Sequence, residues 1–271
     1  MRRVTEHLIS AGVHGLNPLA STGEIAYLEE KECQDIIRIV VEQADGRVPV
    51  VAGVTGVSTQ QMVREGRAAK TAGADALLVI MTTYFPLQRS KIVEHVRTLA
   101  ISAELPIVLY NNPKYCNADL TPELVAELSN IDQVRYIKEA SGITGRVLSI
   151  QERARSPFGV FSASAHIPTA VLWLGGVGWM AGPACLVPEA SVRMYEAACE
   201  GDWITAMAVQ KRLWPLNELF QKHGLARCIK GGLNMQGFDV GVPRPPQHPL
   251  SSEGLAELRI ALDVVSEGLP G

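Results

Sequence analysis

The sequence predicts an α/β chain of the barrel type, in which parallel strands alternate with helices and a helical C-terminal extension follows. Three observations predict it. Short apolar runs alternate with longer segments of helical periodicity. The runs lack polar alternation, as strands covered on both faces do, and parallel strands need the crossover helices found between them. No G-x-G-x-x-G follows an early run. The doubly wound dinucleotide fold shares the alternation, but without that motif it loses its main support.

The elements follow in order. MRRVTEHLISAG reads as a short amphipathic helix with Val4, Leu8 and Ile9 on one face. Strands are expected at 14-20, 48-53, 76-81, 106-111, 134-140, 158-163 and 177-182. Helices are expected at 26-44, 58-72, 88-103, 121-130, 143-154 and 166-174. Ser58 and Thr121 stand where N-caps should, and Pro122 occupies a first helical turn. Gly73 is a C-terminal stop. After about residue 186 the strands end. Helical segments at 188-200, 202-223, 225-236 and 253-267 remain, broken by Pro215 and by GVPRPPQHPL at 241-250. The expected division is a barrel over 1-186 and a helical extension over 187-271. Seven strands are counted where a (β/α)8 TIM barrel has eight. A first strand is therefore expected to be missing ahead of Met1, which leaves two exposed edges.

Composition narrows the function. The 271 residues are 47% hydrophobic and carry a net charge of -3, with both signs mixed throughout. No basic stripe points to nucleic acid, and no apolar run reaches the length of a membrane span. The five cysteines, Cys33, Cys116, Cys185, Cys199 and Cys228, form no C-x-x-C pair. They read as reduced thiols, and with no signal peptide a cytoplasmic protein is expected. The six histidines are scattered too widely for a metal site.

Lys138 lies in the apolar run VRYIKEA. Alternation puts Val134, Tyr136, Lys138 and Ala140 on one side, and Arg135, Ile137 and Glu139 on the other. A lysine inside a barrel is costly unless neutral or paired. An ordinary lysine is a free amine only about once in 2,500 molecules at pH 7. Burial raises that fraction, which is how Schiff-base lysines arise. The plain alternative is a lysine that reaches solvent from the strand end. Tyr110 closes the run PIVLYN one β-α unit earlier, so both residues belong near the C-terminal ends of adjacent strands, where barrels carry their active sites. A phenol there can move protons, or it can be a core tyrosine bonded to a carbonyl. Ser21-Thr22-Gly23-Glu24 follows the first run. It suits a carboxylate cradle or a simple helix cap. Gly175-Gly176 is too little for the phosphate loop of a barrel isomerase.

Together STGE at 21-24, YNNP at 110-113 and IKEASG at 137-142 resemble the dihydrodipicolinate synthase/N-acetylneuraminate lyase family. The resemblance continues through LGGVGWMAGPACLVPE at 174-189 and KGGLNMQGFDVGVPRPPQHPL at 230-250. It implies a (β/α)8 barrel with a helical tail, assembled as a homotetramer of two tight dimers, with no metal and no cofactor. It implies a lyase in which Lys138 forms a Schiff base with pyruvate or another 2-keto acid and Tyr110 shuttles protons. Ser21 and Thr22 would hold the carboxylate, and the Met180 carbonyl would line the pocket. Specificity is expected at the departures from the family's branches. Tyr115 stands where the synthase branch has arginine. Tyr84 and Phe85 stand where that branch has a tyrosine pair. Ser164, with Ala165, stands where the lyase branch places acids. Met81 and Trp179 join Tyr115 and Phe85 as expected walls of a less polar acceptor pocket. The other expectation is a non-catalytic relative that binds a keto acid or assembles with active homologues.

Overall fold

A computed structural model describes residues 1–163 and 167–267. Helix α1 (Arg2–Ser10) opens the chain. Helix α2 (Glu30–Ala44) then leads into strand β1 (Val51–Thr55). The alternation continues with α3 (Thr59–Thr71), β2 (Ala76–Ile80), α4 (Arg89–Ala103) and β3 (Ile107–Asn111). Two short helices, α5 (Pro113–Cys116) and α6 (Pro122–Leu128), precede β4 (Val134–Glu139). Then come α7 (Gly145–Arg153), β5 (Gly159–Ser162), α8 (Pro168–Trp173) and β6 (Gly178–Trp179). Helices α9 (Pro188–Cys199), α10 (Trp203–His223), α11 (Leu225–Met235) and α12 (Ser252–Ser266) follow. None of the described helices is long and apolar enough to cross a membrane.

The caps read from the sequence are in place. The Ser58 hydroxyl accepts the Gln61 N–H at 3.2 Å and the Thr121 hydroxyl accepts the Leu124 N–H at 3.4 Å. All six strands are parallel and lie in the order β1-β2-β3-β4-β5-β6. Sequential order is the barrel arrangement, because a doubly wound sheet reverses its strand order part-way. Period-2 alternation then divides each strand between two cores. Leu77, Val79, Leu109, Ile137 and Val160 face the helices in one large outer cluster. Leu78, Ile80, Val108 and Tyr110 face inward, with Phe161, Ala163 and Met180 against them. Leu77, Leu109 and Ile137 are fully buried, so truncating any one to alanine would cost about 2–5 kcal/mol.

Four expectations need correction. The run 14-20 makes only an isolated parallel bridge, Leu16 with Val50. Pro18 has no N–H to donate, and Leu19 sits at φ 63°, which turns the chain out of the extended state. The segment still hugs β1: Leu16 accepts from the Val51 N–H at 2.8 Å and Pro18 from the Gly53 N–H at 2.9 Å. A Cβ at Gly53 would lie 1.8 Å from the Leu19 carbonyl oxygen, so only glycine allows this approach. The last strand is shorter than expected, two residues rather than the six of 177-182. Val134 does not share the Lys138 face, because the β3–β4 register shifts between Ile107 and Val108 and moves it to the outer cluster. Finally, α10 runs unbroken through Pro215. Leu213 and Leu216 on either side are buried, and that packing outweighs the hydrogen bond a proline forfeits.

Candidate active site

Register builds the centre of the site. Tyr110 on β3 pairs directly with Lys138 on β4, so both side chains enter the same interior layer. The Lys138 Nζ sits 4.8 Å from the centre of the Tyr110 ring. Lys138 is 8% exposed and Tyr110 is 5% exposed. Burial drives the Lys138 ammonium down to about 8, and the neighbouring Cys185 opposes this only weakly. Burial in turn pushes the Cys185 thiol up to about 11, which keeps it neutral at pH 7. Burial also raises Tyr110, while hydrogen bonds from Ser21 and Asn112 pull it back.

The phenol is held on two sides. The Asn112 Nδ2 donates to its oxygen at 2.9 Å, and the Ser21 hydroxyl lies 3.4 Å away. Ser21 and Thr22 occupy a single 3-10 turn, Ser21–Gly23. Leu19 at φ 63° and Glu24 at φ 59° bracket that turn. The left-handed Leu19 sends its own side chain outward to the helices and Ala20 inward, which brings Ser21 to Tyr110. Thr22 lies beside Gly182, in the loop that leaves β6. Met180 packs on the inner cluster, and its N–H donates to the Ser162 carbonyl at 2.9 Å. The sequence therefore brings Lys138, Tyr110, Ser21, Thr22 and Met180 to one end of the sheet, where strands β3 to β6 terminate.

The expected specificity residues divide. Tyr84 and Phe85 lie in the loop after β2, 78% and 72% exposed, with their rings edge-on at 4.8 Å. Tyr115 is 59% exposed, and the Lys114 Nζ stands 5.8 Å over its ring. Met81 and Trp179 do not line an acceptor pocket. Met81 follows the inward Ile80 and so packs outward in the helix-facing core. Trp179 packs outward against Ala190, Met194 and Val209. Ser164 and Ala165 lie outside the described residues.

Other parts of the site were not read from the sequence. Behind Lys138, the buried Glu139 carboxylate accepts the Asn111 Nδ2 at 2.9 Å and the Ser141 N–H at 2.6 Å. The Asn111 Oδ1 accepts the Leu120 N–H at 2.9 Å, and Asp119 pairs with Arg146 through two contacts of 2.5 and 2.7 Å. Glu24 is 5% exposed and pairs with the Lys230 Nζ at 2.6 Å. It also accepts the Arg244 N–H at 2.8 Å. The only sequence signal for Glu24 was its place at the end of STGE.

Comparison with known proteins gives the family and the fold. A sequence model of the dihydrodipicolinate synthetase family matches residues 1–264. The chain belongs to that family. A 4-hydroxy-tetrahydrodipicolinate synthase of Methanospirillum hungatei is 34% identical over 263 residues, covering 97% of this chain and 90% of that one. The crystal structure of dihydrodipicolinate synthase from Agrobacterium tumefaciens superposes with a TM-score of 0.93 at 27% identity, covering 97% and 90% of the two chains. YagE, a prophage protein of the same family from Escherichia coli K12 solved in complex with pyruvate, gives 0.93 at 28% identity, covering 98% and 91%. Membership in the dihydrodipicolinate synthetase family accounts for the sequential parallel sheet and for the helices that follow it.

Proposed function

We propose that this chain is a lyase that joins pyruvate or another 2-keto acid to Lys138 as a Schiff base. The observation that carries the reading is the buried Lys138 amine, depressed to about 8, against the ring of Tyr110. A lysine this far below its ordinary value is a free amine in roughly a tenth of molecules at pH 7. That is the nucleophile imine chemistry needs. In this reading Tyr110 carries protons between the amine and the oxygen that leaves as water. Ser21 and Thr22 hold the carboxylate, with free N–H groups of their tight turn beside it. Met180 lines the pocket. The protonated imine is an electron sink, so a bond beta to it is made or broken through the enamine. In the same reading the exposed Tyr84, Phe85 and Tyr115 would meet the second reactant.

The test is borohydride reduction in the presence of pyruvate, followed by intact and peptide mass spectrometry. A pyruvyl adduct on Lys138 is expected. A folded sample that gives no adduct with pyruvate or with other 2-keto acids sinks the proposal and leaves a binding or assembly role.

A further inference from the structure

Asn112 stands at the start of α5, where an asparagine ordinarily spends its side chain on the free N–H groups of the first turn. This one caps nothing with its side chain. Its backbone carbonyl alone begins the helix, accepting the Tyr115 N–H at 3.0 Å and the Cys116 N–H at 2.9 Å. The amide turns inward, 7% exposed, and donates to the Tyr110 oxygen at 2.9 Å.

We propose that Asn112 is a positioning residue for proton transfer, aiming the Tyr110 hydroxyl proton at Ser21 and at the group carried on Lys138. The inference rests on the Schiff-base reading. A phenol has one hydrogen to give and lone pairs to receive. An amide N–H bound to one lone pair cannot take the phenol's proton, so that proton points elsewhere. Among the described residues, the acceptors in reach are the Ser21 oxygen at 3.4 Å and whatever sits on the Lys138 nitrogen above the ring. The same N–H stabilises the phenolate whenever the proton is away, because donation to a charged oxygen is stronger than to a neutral one. It thus opposes the burial that pushes Tyr110 up. Among the described residues, the other ionisable groups facing the phenol are Lys138 from β4 and Tyr115 and Cys116 from α5. Burial pushes Cys116 to about 11, so it brings no charge at neutral pH.

The experiment compares the full chain with Asn112→Ala and Asn112→Asp. Three quantities are read. One is the extent of borohydride-trapped pyruvate adduct. The second is the rate at which the methyl hydrogens of pyruvate exchange with deuterated solvent. The third is the pH dependence of that rate. The adduct is expected to form to the same extent in all three proteins. For Asn112→Ala the exchange rate at neutral pH should fall about tenfold, at the low end of general acid-base effects. Its alkaline limb should move up by about one pH unit, the worth of one hydrogen bond to a charged group. Asn112→Asp, isosteric but with only acceptors facing the phenol, should move the limb further. In a Tyr110→Phe background, Asn112→Ala should cost less than about twofold more, as coupled residues do. Absence of adduct in the unsubstituted chain is failure of the Schiff-base reading itself. Normal adduct with an unmoved limb, or a full tenfold cost in the Tyr110→Phe background, overturns the role of Asn112 alone.

Discussion

Replacing Lys138 with methionine should abolish imine formation and raise the stability of the fold at neutral pH. The magnitude comes from the burial of the amine. Its value falls from 10.5 to about 8 on folding. At ~1.4 kcal/mol for each pH unit, this amounts to roughly 3 kcal/mol of cost carried by the native state at pH 7. The sign follows from proton counts. Between pH 8 and 10.5 the unfolded chain holds the proton and the native chain does not, so stability rises with pH across that window. Below pH 8 both forms hold it and the full cost is present. Methionine fills similar space with no charge to desolvate. Differential scanning calorimetry of both proteins at pH 7 and at pH 10 tests this. At pH 7 the variant should melt higher, by about 2–4 °C for each kcal/mol in a chain of this size. Most of that advantage should vanish by pH 10. A Lys138→Met protein that melts lower at pH 7, or an advantage that does not change with pH, refutes the claim that a buried amine is held against solvation.

Two further outcomes concern the frame around the site. Burial, with the Glu30 carboxylate adding to it, pushes Glu65 on α3 up to about 6. The native state therefore favours the protonated form, so this contribution is fully present below about 4.5 and is lost as pH rises through 6. Glu65→Gln should melt higher than the natural sequence at pH 7.5 and alike at pH 4, and equal melts at both would count against it. Asn111→Ala leaves the Leu120 N–H and one Glu139 oxygen unpaired in a buried site. Urea unfolding should show a loss of about 2–3 kcal/mol, and a loss below ~0.5 kcal/mol would remove the network from the account.

What the sequence disclosed and what it withheld have physical reasons. Lys138 and Tyr110 were legible because a spacing of one β-α unit becomes a direct pair in parallel register. Ser21 and Thr22 suited a cradle or a helix cap from the residues alone, and only the resemblance chose between them; the fold sets them in a 3-10 turn beside Tyr110. The inward or outward sense of a strand-end residue was not. Met81 and Trp179 sit one position past inward residues, and an error of one residue reverses the face. Val134 was misplaced because a register shift leaves no mark in an apolar run. Pro215 was read by its local cost, whereas buried Leu213 and Leu216 set the outcome. Asn112 drew no reading of its own in the sequence, since only the fold decides which way an amide turns.

The most remote of these dependencies is Glu24. Its carboxylate meets Lys230 on α11 and the Arg244 N–H, with Gln247 Nε2 also reaching it at 3.3 Å. Arg244 additionally pairs with Glu32 on α2. A charge as buried as Glu24 is tolerable only with such partners. Left-handed backbone at Leu19 and Glu24 persists only where the surroundings over-determine it. The turn that carries Ser21 and Thr22 is therefore held from two directions. Gly53 admits it against β1, and the C-terminal segments clamp Glu24. The helices after the sheet thus reach the turn both by direct packing of α11 and through this carboxylate. In that arrangement the turn is held from outside as well as by its own Gly23 N–H bond to the Ala20 carbonyl at 2.9 Å, and the Ser21 hydroxyl stays beside the Tyr110 phenol.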